Sequence, residues 1–362
     1  MKNLQILNDN SLNFLKKYIE TPSPTGMEWQ GQKIWLDYVK QYTDDYFTDN
    51  YGTAVGVINP DADYKVVIEA HADEISWMVH YITDEGFLYL KKNGGSDHQI
   101  APSKKVWLHT DNGPVEGIFG WPAIHARDSS SESTPLAKNL FIDVGCNSKE
   151  EVLELGIHVG TLVTYQDGLT LLNDRYFTGR AIDNRMGGFI IAEAARYIRE
   201  NNINLPFGLY VTNSVQEEVG MRGAQMITEN IKPDVAIITD MCHDTQTPMV
   251  QKQTEGDFKG GNGPVITYAP AVQHQLRDLI IEAANEKEIP FQRLARQRIT
   301  GTDTDAFAFS NAGVPSSLIS VPIRYMHTTV ESAHKDDVEN TIRLFVESLQ
   351  KIKNGHDFRY IT

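Results

Sequence analysis

The chain is short of three things. It has two cysteines in 362 residues, Cys146 and Cys242, and no CxxC pair. A disulfide framework is therefore not expected, and a reducing cytoplasm suits the protein. It has no run of about 18 apolar residues, the length that crosses a bilayer as a helix. Its opening residues, Met1 to Gln5, form no apolar signal segment, so no membrane association is expected. Positive charge is also scarce: 33 Lys and Arg stand against 48 Asp and Glu, a net charge of −15. Phosphate binding needs a basic surface, which argues against nucleic acid as a partner. What the chain does have is apolar and acidic. Hydrophobic residues make up 41%, enough for a core in one large domain or two ordinary ones. Carboxylates clustered around a bound cation would account for part of the acid excess.

Helical signals come first. Leu12, Leu15, Tyr18 and Ile19 recur at helical spacing until Pro22-Ser23-Pro24 breaks the pattern. Thr25-Gly-Met-Glu28 predicts a capping box ahead of a second helix carrying Ile34, Leu36, Tyr38 and Val39. Residues 65–70 read as a buried strand that ends at His71. Short alternating segments then take over, such as Val106-Trp-Leu-His109, with turn clusters such as Asn93-Gly-Gly95 between them. This rhythm predicts a small β barrel or sandwich. One helix interrupts it behind a Ser148–Glu151 capping box, and residues 129–135 are expected to form a mobile surface loop. Helix–strand alternation returns after about residue 174. Helices are predicted over 186–201 and 273–288, and strands over 207–215, 235–239 and 316–321. A last helix carries Val338, Ile342, Phe345, Leu349 and Ile352. The fold class is α/β: a discontinuous domain, 1–73 and 174–362, interrupted by an inserted β-rich lobe, 74–173.

That organisation gathers chemistry at one edge. In open α/β sheets, ligands bind beyond the carboxyl ends of the strands. His71, the Glu217-Glu218 pair and Asp240 each follow a predicted strand, His327 follows another after a short connection, and Asp183 lies just ahead of a helix. Two imidazoles and three carboxylates are what two divalent ions require if one carboxylate bridges them. In His71-Ala-Asp73, residues two apart point the same way on extended backbone, so Asp73 can accept the second ring N–H of His71. Adjacent Glu217 and Glu218 would face opposite ways on a strand. The chain must therefore turn here, with Gly220 and Gly223 to help, and one glutamate can bind metal while its neighbour serves as general base. His243 stands close behind Asp240 as a supporting candidate. His334 and the histidines of the β lobe are read as surface or packing residues.

At these residues the chain resembles the tetrahedral aminopeptidases, also described as glutamyl, leucyl or deblocking aminopeptidases, with some members labelled cellulase M. The matching blocks are Ala70-His-Ala-Asp-Glu-Ile75, Arg180-Ala-Ile-Asp-Asn-Arg185, Ser214-Val-Gln-Glu-Glu-Val-Gly220, Ile238-Thr-Asp-Met-Cys-His243, Gly301-Thr-Asp303 and Arg324-Tyr-Met-His327. The resemblance runs in order across most of the chain. It implies a mixed-sheet, helix-flanked zinc-peptidase-type domain with a small β-barrel insertion, and two divalent ions per subunit, zinc or cobalt with manganese as a third candidate. By the same implication His71, Asp183 and Asp240 hold one ion, Asp183, Glu218 and His327 hold the other, Asp183 bridges, Glu217 is the general base and Asp73 orients His71. A homo-oligomer is implied as well, often a dodecameric tetrahedron assembled through the β lobe. Ala70 and Ser76 stand where the family usually has glycine. Thr302, Asp303 and Arg324 are the candidate substrate contacts; Arg222, Arg296, Arg298 and Arg324 either favour an acidic side chain or are surface or structural residues.

The expected function is a metal-dependent aminopeptidase that removes N-terminal residues from short peptides through a two-metal-activated water. A two-metal carboxypeptidase or N-deacylase is the nearest rival. A glycosidase is a rival of another class, but its carboxyl pair must flank the scissile bond about 5–9.5 Å apart. Neighbouring glutamates fit that poorly, and it leaves the histidines idle.

Overall fold

The computed structural model describes residues 6–127 and 134–361. The predicted loop at 129–135 thus lies largely outside the described residues, as do Met1–Gln5. Two sheets organise the chain. An 11-stranded sheet has at its centre four parallel strands, Gly208–Ser214, Lys65–His71, Val235–His243 and Ser316–Arg324, in that spatial order. Antiparallel strands flank them on both sides, Ala54–Ile58 at one and Glu331–His334 at the other. The second sheet is a closed barrel of Ser76–Ile82, Leu88–Asn93, Phe141–Asp143, Gly113–Phe119, Lys105–Thr110 and Leu162–Tyr165.

Alternation along the central strands builds the layers. In Lys65–His71, Val66, Ile68 and Ala70 join the large core under helices Asp9–Glu20, Trp29–Val39, Ile182–Glu200 and Lys335–Lys351. Val67 faces the opposite side, where Ile227 of helix Arg222–Ile231 and Phe307 of helix Asp303–Ala308 cover the sheet. Strands buried on both faces read as continuous apolar runs, as here. The last helix buries Val338, Ile342, Phe345 and Leu349 on the face their spacing predicts. Cutting one such side chain back to alanine costs about 2–5 kcal/mol. The barrel has its own core, with Trp77, Val106, Leu108, Phe119 and Ile142 inside. Among the described residues no helix is long and apolar enough to cross a membrane.

Two local expectations had different outcomes. At Ser148 the cap forms: its hydroxyl accepts from Glu151 N, and the Glu151 carboxylate reaches back one residue beyond the cap, accepting from Asn147 N at 2.7 Å. At Thr25–Glu28 it does not. Helix Trp29–Val39 has no side-chain N-cap, because the Thr25 hydroxyl donates to Asp73 at 2.9 Å while Glu28 turns back to Gly26 N. The predicted cap is thus a tertiary tie to the sheet edge. A second tie joins the chain leaving the sheet for the barrel to the chain returning from it. Buried Glu74 pairs with Arg180 and accepts Ser23 N at 2.7 Å, and Arg180 donates to Glu20 O. The barrel is fixed to the sheet right beside Asp73.

Candidate metal centre

The carboxyl ends of the four parallel strands meet at one cleft of about 370 Å³. His71 is the last residue of its strand. Asp240 lies within a strand that runs on to His243, because pairing with Ser316–Arg324 extends it in register, Asp240 opposite Ser320. Glu217 and Glu218 occupy a single 3-10 turn, Glu217–Val219, between Gln216 at φ 58° and Gly220 at φ 119°. That turn solves the problem of two neighbouring acids. Gly223 lets it pack, since a Cβ there would stand 2.4 Å from Val215 O. Asp183 sits at a non-helical break in the first turn of Ile182–Glu200, where the Asp183–Asn184 peptide is cis. His327 follows Ser316–Arg324 with φ 61°.

Five groups therefore converge. His71 Nε2 is 3.4 Å from Asp183 Oδ1 and 3.8 Å from Asp240 Oδ1. His327 Nε2 is 3.4 Å from Asp183 Oδ2 and 3.5 Å from Glu218 Oε1. Asp183 faces one trio with each oxygen. In each trio, His71–Asp183–Asp240 and Asp183–Glu218–His327, one ligand atom per residue lies within 4.8 Å of the others. Glu217 borders the first trio, 3.8 Å from His71 Nε2, and ligates in neither. Asp73 lies on the far side of His71, its Oδ1 3.4 Å from Nδ1, which leaves Nε2 to face the acids. The same carboxylate accepts Glu217 N at 2.9 Å and Glu218 N at 3.2 Å. Asp73 thus faces the imidazole and ties down the glutamate turn.

Protein charges alone do not balance here. Burial pushes Asp240 and Glu218 well above the usual carboxylate range, and the charge of Asp183 adds to it. Burial opposes the ionisation of Asp183 too, but hydrogen bonds from His327 and His71 win and hold it low. Glu217 is pushed up to about 8, first by burial and then by nearby acids, against the pull of His71. Burial would lower His327, but Asp183 holds it up at about 9. Without cations such a cluster must take up protons, whereas two divalent ions would let every ligating carboxylate ionise. The donor set of imidazole and carboxylate, at this spacing, fits that pair of ions.

Other candidates lie where the sequence did not lead. Thr302 lines the cleft with Thr300, Met221, Met326 and Arg296. Asp303 does not line it. As the first residue of helix Asp303–Ala308 it is buried against Glu69 under the sheet, and burial raises both carboxyls, Glu69 to about 7. Arg324 is also turned away, its guanidinium held by Asp244 and the Tyr176 hydroxyl, each at 3.0 Å. His243 lines the cleft wall, while His334 caps the last helix by accepting Asp336 N. Two participants had no marker in the sequence. Glu331 is buried and accepts Asp183 N at 3.0 Å and His327 N at 2.6 Å, so one carboxylate holds the backbone of two ligands. Only its place four residues past His327 hints at this. Gly95, in the Asn93-Gly-Gly95 turn of the barrel lobe, lies against His327: a Cβ there would stand 2.5 Å from Nδ1.

Residues 52–344 match the family described as M42 glutamyl aminopeptidase. The chain belongs to the M42 aminopeptidase family. It is 32% identical over 344 residues to the lysyl aminopeptidase of Pyrococcus furiosus, a match covering 94% of this chain and 96% of the relative. Its fold superposes on the crystal structure of a TET aminopeptidase from a marine sediment Thaumarchaeota archaeon with a TM-score of 0.91 and 29% identity, over 95% of this chain and 97% of that one. The Pyrococcus horikoshii TET1 peptidase, which can assemble into a tetrahedron or a large octahedral shell, matches with a TM-score of 0.83 and 28% identity, over 93% and 98%. The M42 chain is thus a peptide hydrolase with the mixed α/β fold and inserted barrel of its relatives.

Proposed function

We propose that this M42 chain is an aminopeptidase that removes N-terminal residues from short peptides with two divalent cations bound. The observation that carries the reading is the division of Asp183, one oxygen toward His71 and the other toward His327, with Glu217 beside the first trio and in neither. In this reading His71, Asp183 and Asp240 hold one cation and Asp183, Glu218 and His327 the other; zinc or cobalt, with manganese as a third candidate, are the ions the family resemblance implies. The cations supply Lewis acidity for the scissile carbonyl and acidify a water at neutral pH. Glu217 takes a proton from the attacking water at its carboxylate and returns it to the leaving amine. Asp73 keeps His71 oriented and the Glu217–Val219 turn in place.

Residues 74–173, which carry the barrel and then strand Thr170–Leu172 of the large sheet, are assigned to self-association, and a homo-oligomer is proposed on the strength of the TET assemblies among the relatives. Glu217→Gln tests the central role. It should bind both cations with unchanged stoichiometry and lose about 10²–10⁴-fold in kcat, the usual worth of a general base. Near-normal turnover would end the assignment. A free-amine peptide compared with its N-acetylated form separates this activity from N-deacylation, since preference for the blocked form contradicts it.

A further inference from the structure

Four arginines in the sequence are candidates to receive an acidic group, and the structure separates them. Arg324 is committed to Asp244 and Tyr176. Arg222 and Arg298 are exposed and do not line the cleft. Arg296 does line it, half-buried, and is the one lysine or arginine in that lining among the described residues.

Its placement is built. Arg296 directly follows strand Gln292–Ala295, which pairs with Val265–Tyr268, and its backbone N donates to Tyr268 O at 2.8 Å. The guanidinium makes no ion pair with any described carboxylate. That is unexpected in a chain of net charge −15, in a cleft containing Asp183, Glu217, Glu218 and Asp240. Those acids are engaged with His71 and His327 instead. Arg296 still acts on the cleft floor, where its charge reaches Cys242 and His243. The same cleft lining is partly apolar, with Met221, Met241 and Met326, and also carries Thr300 and Thr302. A half-buried guanidinium with no ion-pair partner among the described residues has its donors open to an anion in the cleft. The anion that fits a planar fork of five donors is a carboxylate, held through two parallel hydrogen bonds.

We propose that Arg296 is the specificity-determining residue of the cleft and receives a carboxylate of the peptide substrate. The proposal rests on the aminopeptidase reading above. A peptide offers that carboxylate from two sources: the side chain of an N-terminal glutamate or aspartate, or the C-terminus of a very short peptide. The chemistry at Arg296 is the same for both. A substrate bearing neither would leave the guanidinium without its anion, so discrimination follows from a missing partner and not from a steric clash.

The test uses the full-length, cation-loaded protein and the variants R296M, R296E and R298M. The ratio of kcat/KM for glutamyl over alanyl p-nitroanilide reads the side-chain source. The ratio for a free-acid tripeptide over its C-terminal amide reads the other. R296M should lower one of these ratios by about ten-fold or more, the scale of a lost charge-assisted pair. If the glutamyl ratio falls, R296E should also raise lysyl over glutamyl hydrolysis. R298M should move neither ratio. If R296M lowers all substrates in parallel, or moves both ratios by less than about two-fold, Arg296 is only a countercharge or a structural residue and the proposal is overturned. Calorimetric binding of L-glutamate against L-glutamine, and of glycylglycine against its amide, needs no turnover. Should the wild type hydrolyse no aminoacyl substrate, the aminopeptidase reading fails. A preference of the wild type for either carboxylate ligand that R296M abolishes would still support the role of Arg296, and no such preference would refute it.

Discussion

Asp73→Asn is the substitution whose effect the structure defines most closely. Both oxygens of the carboxylate are used. Oδ1 accepts Glu217 N at 2.9 Å and faces His71 Nδ1 at 3.4 Å, while Oδ2 accepts Glu218 N at 3.2 Å and the Thr25 hydroxyl at 2.9 Å. An asparagine has one acceptor end and one donor end. With its NH2 at the Oδ1 position it would confront two N–H groups. At the Oδ2 position it confronts one N–H and a hydroxyl, and a hydroxyl can rotate to accept. The second orientation is therefore favoured, and it leaves one buried donor, Glu218 N, without a partner. An unsatisfied buried donor costs about 1–3 kcal/mol, and every 1.4 kcal/mol is tenfold in an equilibrium constant, so the loss is roughly 5- to 150-fold. The loss is localised. It falls on the turn that carries Glu218, so the cation held by Asp183, Glu218 and His327 should weaken by that factor, and the cation held with His71 and Asp240 should weaken less. Competition against a graded series of chelators, read as cations retained per chain, measures the two affinities separately. Equal weakening of both sites would mean that Asp73 acts through His71 and not through the turn. Affinities within two-fold of wild type at both sites would refute the hydrogen-bond account altogether.

Three further outcomes follow from the geometry. Gly95→Ala puts a Cβ 2.5 Å from His327 Nδ1, and should weaken the same Glu218-side cation by about 10–100-fold, on the scale of supporting-residue losses; unchanged chelator competition would show that the barrel turn does not hold the ligand. Glu331→Gln keeps the size of the side chain but loses one of two acceptors, to Asp183 N and His327 N, and should cost about 1–3 kcal/mol in urea unfolding, with no cost expected if water replaces the carboxylate. His109 in the barrel is held down at about 4 from an ordinary 6.5 by burial, with its Nε2 at 2.9 Å from the Thr164 hydroxyl. Its folded form resists protonation, so its contribution to stability is complete above 6.5 and is lost as pH falls toward 4. His109→Gln should flatten that part of the pH–stability curve, and an unaltered curve would place the acid sensitivity elsewhere.

The sheet and the converging five were legible because strand ends are marked locally. Residues 65–71 and 207–215 announce buried strands by composition alone, and a polar group directly after such a run has few places to go except the carboxyl edge. The barrel was legible from alternation and turn residues. What escaped depends on partners far apart in sequence. Asp240 reads as lying beyond its strand, yet register with Ser316–Arg324 draws it inside. The capping pattern at Thr25 is locally sound, and it loses to a buried carboxylate 48 residues away. Asp303 looks like a substrate contact by its neighbours in sequence, but helix Asp303–Ala308 begins there and turns the side chain under the sheet.

The barrel's attachment has a consequence for how the site and the insertion depend on each other. The chain leaves the central strand at His71 and rejoins the large sheet through Thr170–Leu172 and Tyr176–Gly179, the second of which leads to Asp183, so a residue beside one ligand and a ligand common to both trios stand near the two crossings. Glu74 and Arg180 close the gap between those crossings with a buried ion pair, and Glu74 also holds Ser23 N while Arg180 holds Glu20 O. Removing one member of such a pair costs about 3–5 kcal/mol when the other is left alone; here Arg185, 3.8 Å from Glu74, keeps part of the compensation and sets the cost at the lower end. Arg180→Met should therefore loosen the barrel and the metal centre together, and thermal unfolding should separate into two transitions where the intact chain has one. If the variant instead unfolds in one step at lower temperature with cation affinity unchanged, the ion pair serves global stability alone, and the metal centre is held by Asp73 and Glu331 independently of the barrel.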